Sequence, residues 1–338
     1  MIVDCARHAG VKRHQDLFDY MPHSWQKHFD RYEWTGAVDL TSNHIRVSSK
    51  FRHDPIPEYK PGAEPDRMTL VIPHQGLTVN GWADRVGAKV YLDALNSYGE
   101  AHWVSSSSKL AMVVSPHDPV WSASEIRRRG ASPKIGGVCI PLSTEMLGTR
   151  HWDPIYEACI ERGLPVVIHY SGVEGSYTGA PPLAGSVHQN ALSRLILMPQ
   201  LAESNAASLL FEGAFYRFPK LQIFFAGFGF KWIPSLMRRV DQEWRNFRSD
   251  MPWLLDEPSK KVLSNMWFSS YPVGEAGGLV AWEGEFSAAL RKRIVFNSHA
   301  PFGNDTVEDV ERVLGKTWVD SMMRNGRALL RYKTGTEA

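Results

Sequence analysis

Cysteine is nearly missing from this chain: there are three in 338 residues, at positions 5, 139 and 159. None of the spacings is that of a zinc finger or a redox dithiol. A disulfide framework is therefore excluded as the source of stability, and a reducing, cytoplasmic setting is expected. Cys139 and Cys159 lie in apolar runs and read as small core residues. An excess of one charge is lacking too. With 38 Lys and Arg against 36 Asp and Glu, the formal net charge is only +2, which leaves no electrostatic footprint for nucleic acid. The one basic run, Arg127 to Arg129, is expected at the solvated end of a helix. No apolar run approaches the ~18 residues of a membrane span, and no charged-then-apolar leader opens the chain. The glycine-rich stretch 172–185 lacks the Lys-Ser/Thr ending of a phosphate cradle. It reads as a loop after a strand, and no nucleotide cofactor is expected.

What the chain does have is an alternation of short apolar runs with helical patterns. Hydrophobic residues make up 43% of it, enough for a large core. Strand-like runs fall at 2–5, 68–73 (MTLVIP), 110–116 (LAMVVSP), 136–141 (GGVCIP), 165–170 (PVVIHY), 221–226 (LQIFFA), 267–270 and from 294. Helical patterns lie between them: 14–29 with a break at Pro22, 86–103, 122–129, 191–218, 234–247, 280–290, 306–314 and 318–332. The clearest unit starts at Asp153-Pro154, which offers an N-cap and a first-turn proline, and Gly163 stops it. Residue 165 opens the next strand two positions later, a tight αβ turn that suits a parallel sheet. About eight strands alternating with helices, undivided by any linker or repeat, predict one (β/α)8 barrel over residues 1–338. Residues 30–67, rich in Pro, Gly and charge, read as an irregular surface excursion within it.

Three of these runs end in histidine. His169 closes PVVIHY, His299 follows IVFNS at 294–298, and His8 lies just past IVDCA. In a parallel barrel the C-terminal ends of the strands meet at one rim, where active sites are built. Three imidazoles there can hold a divalent metal, zinc or manganese, or can act on a substrate directly. The bland alternative for each is a core histidine whose hydrogen bonds are satisfied. Arg7 is the cation nearest the expected pocket and a candidate partner for an anionic group. His74 ends the second strand and can reach the same rim. Asn297 is polar and adjacent to His299. Tyr170, Phe228 and Tyr271 stand at or just past strand ends, where an aromatic mouth suits a planar ligand. His117-Asp118 reads as a capping turn.

These blocks resemble a known family. Residues 153–170 (DPIYEACIERGLPVVIHY), 225–244 (FAGFGFKWIPSLMRRVDQEW) and 293–305 (RIVFNSHAPFGND) are similar to blocks of the amidohydrolase-related metal-dependent hydrolases. That family includes the aminocarboxymuconate-semialdehyde and resorcylate-type decarboxylases. The opening MIVDCARH and the late RNGRALLRY also resemble family segments, and the likeness is weak between 30 and 100. It implies a (β/α)8 barrel, a metal-dependent hydrolase or carbon–carbon lyase, a small aromatic or carboxylated substrate, and an oligomer. Arg239 and Asp241 are expected to anchor a helix as a pair.

The chain departs from the pattern at the chemistry-bearing positions. The first residue of the first-strand pair is Ala6, followed by His8; the sixth-strand Glu or His falls on Gly227; the eighth-strand Asp falls on His299. His169 keeps its standard identity. With no carboxylate left, a divalent metal is expected to bind weakly or not at all. Two readings follow. In the first, His299 replaces the Asp as general base, with His169 as its catalytic partner and His8, His169 and His299 as the metal set. In the second, the chain is a catalytically silent partner of a related amidohydrolase-family subunit in a hetero-oligomer; a chain that works alone is expected as a homo-oligomer.

Overall fold

The computed structural model describes residues 1–31, 58–64, 66–171, 191–276 and 287–331. Most of the excursion at 30–67, all of the stretch 172–185 and most of the helix expected at 280–290 lie outside these residues. Eight strands form one sheet in sequential order: β1 (Ile2–Ala9), β2 (Arg67–Pro73), β3 (Ser108–Val113), β4 (Ile135–Pro141), β5 (Val166–His169), β6 (Ile223–Phe225), β7 (Met266–Ser269) and β8 (Ile294–Val295). Every neighbouring pair is parallel. The chain beyond β8 then meets β1, where Cys5 N donates to Phe296 O at 2.9 Å and His8 N to Ala300 O at 2.7 Å. These bonds bring the first strand beside the last and make the sheet a barrel. The (β/α)8 expectation is met.

The strands are near-continuous apolar runs because both faces are covered, by the barrel interior and by the helices. β4 is buried at every position, as are β5, β6 and β7. Each fully buried Val, Ile, Leu or Phe contributes about 1.5–3 kcal/mol relative to exposure. Cys5, Cys139 and Cys159 are all completely buried.

Local signals mostly place the helices. Helix Asp153–Arg162 carries its proline in the first turn and ends at Gly163, in the left-handed conformation at φ 63°. Trp152 is its N-cap, one residue earlier than expected, and Asp153 instead accepts from Nη2 of Arg217 at 3.0 Å. Asp118 caps helix Pro119–Arg129 by accepting from Trp121 N at 3.0 Å. Of the three arginines ending that helix, Arg129 is buried, not solvated, and is ion-paired with Glu100, Glu125 and Asp93. Pro22 separates a 3-10 turn, His14–Tyr20, from helix His23–Arg31. Arg239 and Asp241 do not pair. Arg239 bonds Glu203, and Asp241 accepts from Ser259 N at 2.9 Å, so one helix is tied to two neighbours. Asn325, in the RNGRALLRY block, donates to Arg291 O and Ile294 O at 2.8 and 2.7 Å and fastens the last helix to β8.

Candidate active site

The parallel barrel brings the ends of β1, β5 and β8 to one rim and, with them, three imidazoles. His8, His169 and His299 are each buried, and one ring nitrogen from each lies within 4.8 Å of the other two. Among the described residues they are the only such group of His, Cys, Asp or Glu. The rings of His169 and His299 are stacked 5.3 Å apart at 2°, and His8 stands edge-on to both, at 4.9 and 4.5 Å.

The backbone fixes the tautomers of two of them. Nδ1 of His8 lies 3.3 Å from Ala300 O, and Nδ1 of His169 lies 2.5 Å from Tyr170 O. A carbonyl oxygen only accepts, so both Nδ1 atoms carry the proton and both Nε2 atoms are acceptors. Those two acceptors face each other at 3.0 Å. Such an approach is repulsive unless a proton or a metal ion lies between them. Burial, and then the neighbouring imidazoles His299, His169 and His74, hold His8 well below the ordinary imidazole range. Burial and then His169 do the same for His299. Neutral imidazoles at neutral pH are what a metal requires.

His299 sits in the left-handed region at φ 55°, uncommon for a residue with a side chain. Asn297 holds it there: its Oδ1 accepts from His299 N at 2.7 Å, while its Nδ2 donates to Ser269 Oγ at 2.9 Å. The Asn297 amide is thus committed on both sides, to the backbone of His299 and to the hydroxyl of Ser269 on β7. The Tyr170 hydroxyl lies 2.5 Å from Nε2 of His299, and the Tyr271 ring stacks on the imidazole at 4.3 Å and 11°. Nδ1 of His299 is buried with no hydrogen-bond partner among the described residues. Beneath the ring is Gly227 at φ 87°. A Cβ there would meet Tyr170 Cε1 at 2.9 Å and His299 Cε1 at 3.0 Å. The space above Gly227 is filled by the two rings.

The other candidates are dispersed. His74 is buried near the cluster, with Nδ1 2.8 Å from Ala9 O, and burial pushes it down to about 4. Phe228 packs against Tyr170, with ring centroids 5.6 Å apart, and so backs the site from behind. Arg7 turns elsewhere. It pairs with Glu64, covers the Tyr59 ring at 5.7 Å and lines a cavity of about 190 Å³ with Arg67 and Thr69, into which no histidine of the cluster projects. Adjacent strand residues point to opposite faces, so the cation next to His8 in sequence is not next to it in space. His117 donates from Nε2 to Asn80 O at 2.8 Å, well placed for the capping turn.

Two residues escaped sequence reading. Phe302 sets its ring edge-on to His8 at 5.1 Å and to His74 at 5.5 Å; its only signal is its place two residues after Ala300, in the turn that follows His299. Asp4 is wholly buried and accepts from Ser298 N at 3.0 Å, Ser298 Oγ at 2.6 Å and Arg67 Nη1 at 3.1 Å. It ties the first strand to the turn that carries His299. Burial raises its carboxyl above the usual value, against the hydrogen bonds from Ser298 and the charge of Arg67.

Comparison with known proteins agrees with the fold. The profile of the Amidohydrolase family matches residues 108–309, more than half of the chain. No curated protein sequence matches the chain. Among solved structures, 5-carboxyvanillate decarboxylase from Sphingomonas paucimobilis aligns at 15% identity and a TM-score of 0.66, over 98% of this chain and 99% of that one. The dihydroxybenzoic acid decarboxylase of Polaromonas sp. JS666, solved with manganese and the inhibitor 2-nitroresorcinol, aligns at 13% and 0.64, over 98% and 96%. An amidohydrolase from Mycobacterium avium subsp. paratuberculosis K-10 aligns at 19% and 0.62, over 78% and 70%. At such identities the likeness is one of fold. The family profile, spanning β3 to the start of the helix Val307–Leu314 after β8, carries the assignment: this chain belongs to the amidohydrolase family.

Proposed function

We propose that the protein is a divergent, divalent-metal-dependent hydrolase or lyase, of the decarboxylase kind, acting on a small aromatic or carboxylated compound. The observation that carries this is the pair of Nε2 acceptors of His8 and His169 at 3.0 Å, each with its Nδ1 held by a carbonyl. Ligand nitrogens on a tetrahedral ion stand about 3.3 Å apart, so this pair is already spaced to bind, and a ring nitrogen of His299 lies within 4.8 Å of both. His8, His169 and His299 would hold the ion. An all-imidazole set suits zinc better than manganese, which prefers oxygen ligands. When bound, such an ion supplies Lewis-acid polarisation of a substrate oxygen or of water.

The chain's own residues would do the remaining work. His299 would move a proton at Nε2, which lies against the Tyr170 hydroxyl, leaving Nδ1, with no hydrogen-bond partner among the described residues, as the nitrogen for the ion. Tyr271 and Tyr170 wall the site with aromatic faces and, with Phe302, exclude water. The solved relatives named 5-carboxyvanillate and dihydroxybenzoic acid decarboxylases support the substrate class. Because no carboxylate joins the three histidines among the described residues, the ion is held weakly compared with sites that have one.

The test is metal analysis of the purified protein after zinc or manganese loading, alongside His8→Ala and His169→Ala. Loading near one ion per chain that is lost in both variants, and lost from the wild type on dialysis against chelator, is expected. Uptake that is the same in all three proteins would refute the metal reading. A metal-free, inactive chain that raises the turnover of a co-expressed family member would establish the silent-partner reading instead.

A further inference from the structure

We propose that the ring of Phe302 occupies the position that an aromatic ligand's ring takes in the active protein. His74 Nε2 would then be the acceptor that reads a hydroxyl group on that ligand. This rests on the histidine cluster being a site for small aromatic molecules, and it adds which substituent is recognised and what must move to admit it.

Phe302 is a hydrocarbon ring set among imidazoles. It lies edge-on to His8 at 5.1 Å and to His74 at 5.5 Å, and tilted against His299 at 6.4 Å. No other described side chain is in ring contact with all three of these histidines. It is half-buried, in a turn beyond β8, whereas the three imidazoles it covers are buried. A partly exposed ring over buried polar groups is the one that can exchange with a ligand ring of the same size. Both would use the same edge-to-face contacts, so the exchange is nearly balanced in packing.

His74 supplies the polar part. Its Nδ1 donates to Ala9 O at 2.8 Å, which leaves Nε2 as an acceptor. That atom is buried and has no hydrogen-bond partner among the described residues. The ring lies flush on Gly10, where a Cβ would be 1.9 Å from Cε1, and turning it would break the bond to Ala9 O. Since burial keeps the imidazole neutral down to about pH 4, it stays an acceptor across the working range. A buried acceptor without a donor costs about 1–3 kcal/mol, and a hydroxyl on the incoming ring removes that cost. A ligand lacking the hydroxyl does not.

The experiment is a binding titration of the full chain with 3-hydroxybenzoate and with benzoate, followed by the 19F signal of 4-fluorophenylalanine placed at 302. Saturable binding that shifts the 302 signal is expected, with 3-hydroxybenzoate about tenfold tighter, the value of one hydrogen bond. In Phe302→Ala both ligands should bind at least tenfold tighter with the preference kept, because no ring has to leave. In His74→Asn, whose amide can still donate to Ala9 O, the preference should vanish while benzoate affinity stays. Should Phe302→Ala not fold, Phe302→Leu serves, with a smaller gain. Binding without a change at 302, equal affinity for the two ligands in wild type, or a preference that survives in His74→Asn would each overturn the proposal. Absence of binding in wild type and in Phe302→Ala would overturn it as well. Metal loading by the three histidines is measured separately, so failure here leaves that reading standing.

Discussion

Gly227→Ala is the sharpest test of the idea that the histidine cluster is built around a missing side chain. The position has φ 87°, and a Cβ there would stand 2.9 Å from Tyr170 Cε1, 3.0 Å from His299 Cε1 and 3.3 Å from His299 Nδ1. Neither ring is free to retreat. The Tyr170 hydroxyl is bonded to His299, the His299 imidazole is stacked on Tyr271, and the His299 Cβ is itself against Gly303. Two costs therefore add: about 1–2 kcal/mol for placing an L side chain at positive φ and about 1–3 kcal/mol for overpacking. Gly62 separates them. It has φ 76° and nothing within 4 Å of its would-be Cβ, so Gly62→Ala measures the backbone cost alone. Urea denaturation of both variants should show Gly227→Ala less stable than wild type by about 2–5 kcal/mol. It should also exceed Gly62→Ala by at least about 1 kcal/mol and lose most of its metal uptake as His299 is displaced. Equal costs in the two variants would mean that Tyr170 and His299 yield freely, and that Gly227 does not shape the site.

How far the sequence discloses this arrangement depends on which face of which strand is asked about. The barrel is legible because strands covered on both sides must be apolar throughout, and 136–141, 165–170 and 221–226 are. The helix stops at Gly163 for a reason local to the chain, its left-handed φ. The three histidines are legible because each ends such a run and parallel strands share a rim. Contacts made across the barrel are not legible. Nothing in MIVDCARH says that Asp4 will accept from Ser298, 294 residues away. Arg7 misleads because sequence adjacency to His8 means the opposite side of the strand, towards Glu64 and Tyr59. Asn297 has a site-like polarity, yet its amide is spent on the backbone of His299. The departures at the sixth- and eighth-strand positions, Gly227 and His299, read from sequence as two separate changes. In space, the imidazole at 299 and the phenol at 170 fill the volume above Gly227, so the two departures are one packing solution.

The remaining predictions bear on the ties around the cluster. Asn325→Ala should cost about 1–3 kcal/mol in urea denaturation, because it leaves the carbonyls of Arg291 and Ile294 without their donor; no loss would mean that the last helix is held by packing alone. Asp4 gives a pH dependence. Its carboxyl is raised above its usual 3.8 by burial, so the folded chain binds that proton more tightly than the unfolded one. Its stabilising contribution is full below the unfolded pKa and is lost as pH rises through the folded one. Asp4→Asn should therefore gain stability relative to wild type as pH is raised from about 4, and parallel curves would refute the assignment. For any turnover found, His299→Ala should lower the rate on the order of 10²–10⁴-fold with the fold intact. His299→Asp decides between the two ways a metal can be weakly held. If the missing anion is the cause, a carboxylate at 299 should raise zinc affinity, read by competition with a chelator, by at least tenfold, on the order of 1.4 kcal/mol. If geometry is the cause, the shorter side chain gives up the Tyr170 bond and the Tyr271 stack that position residue 299, and affinity falls instead. A fall would show that this cluster holds its ion through three packed imidazoles, and that charge was never what it lacked.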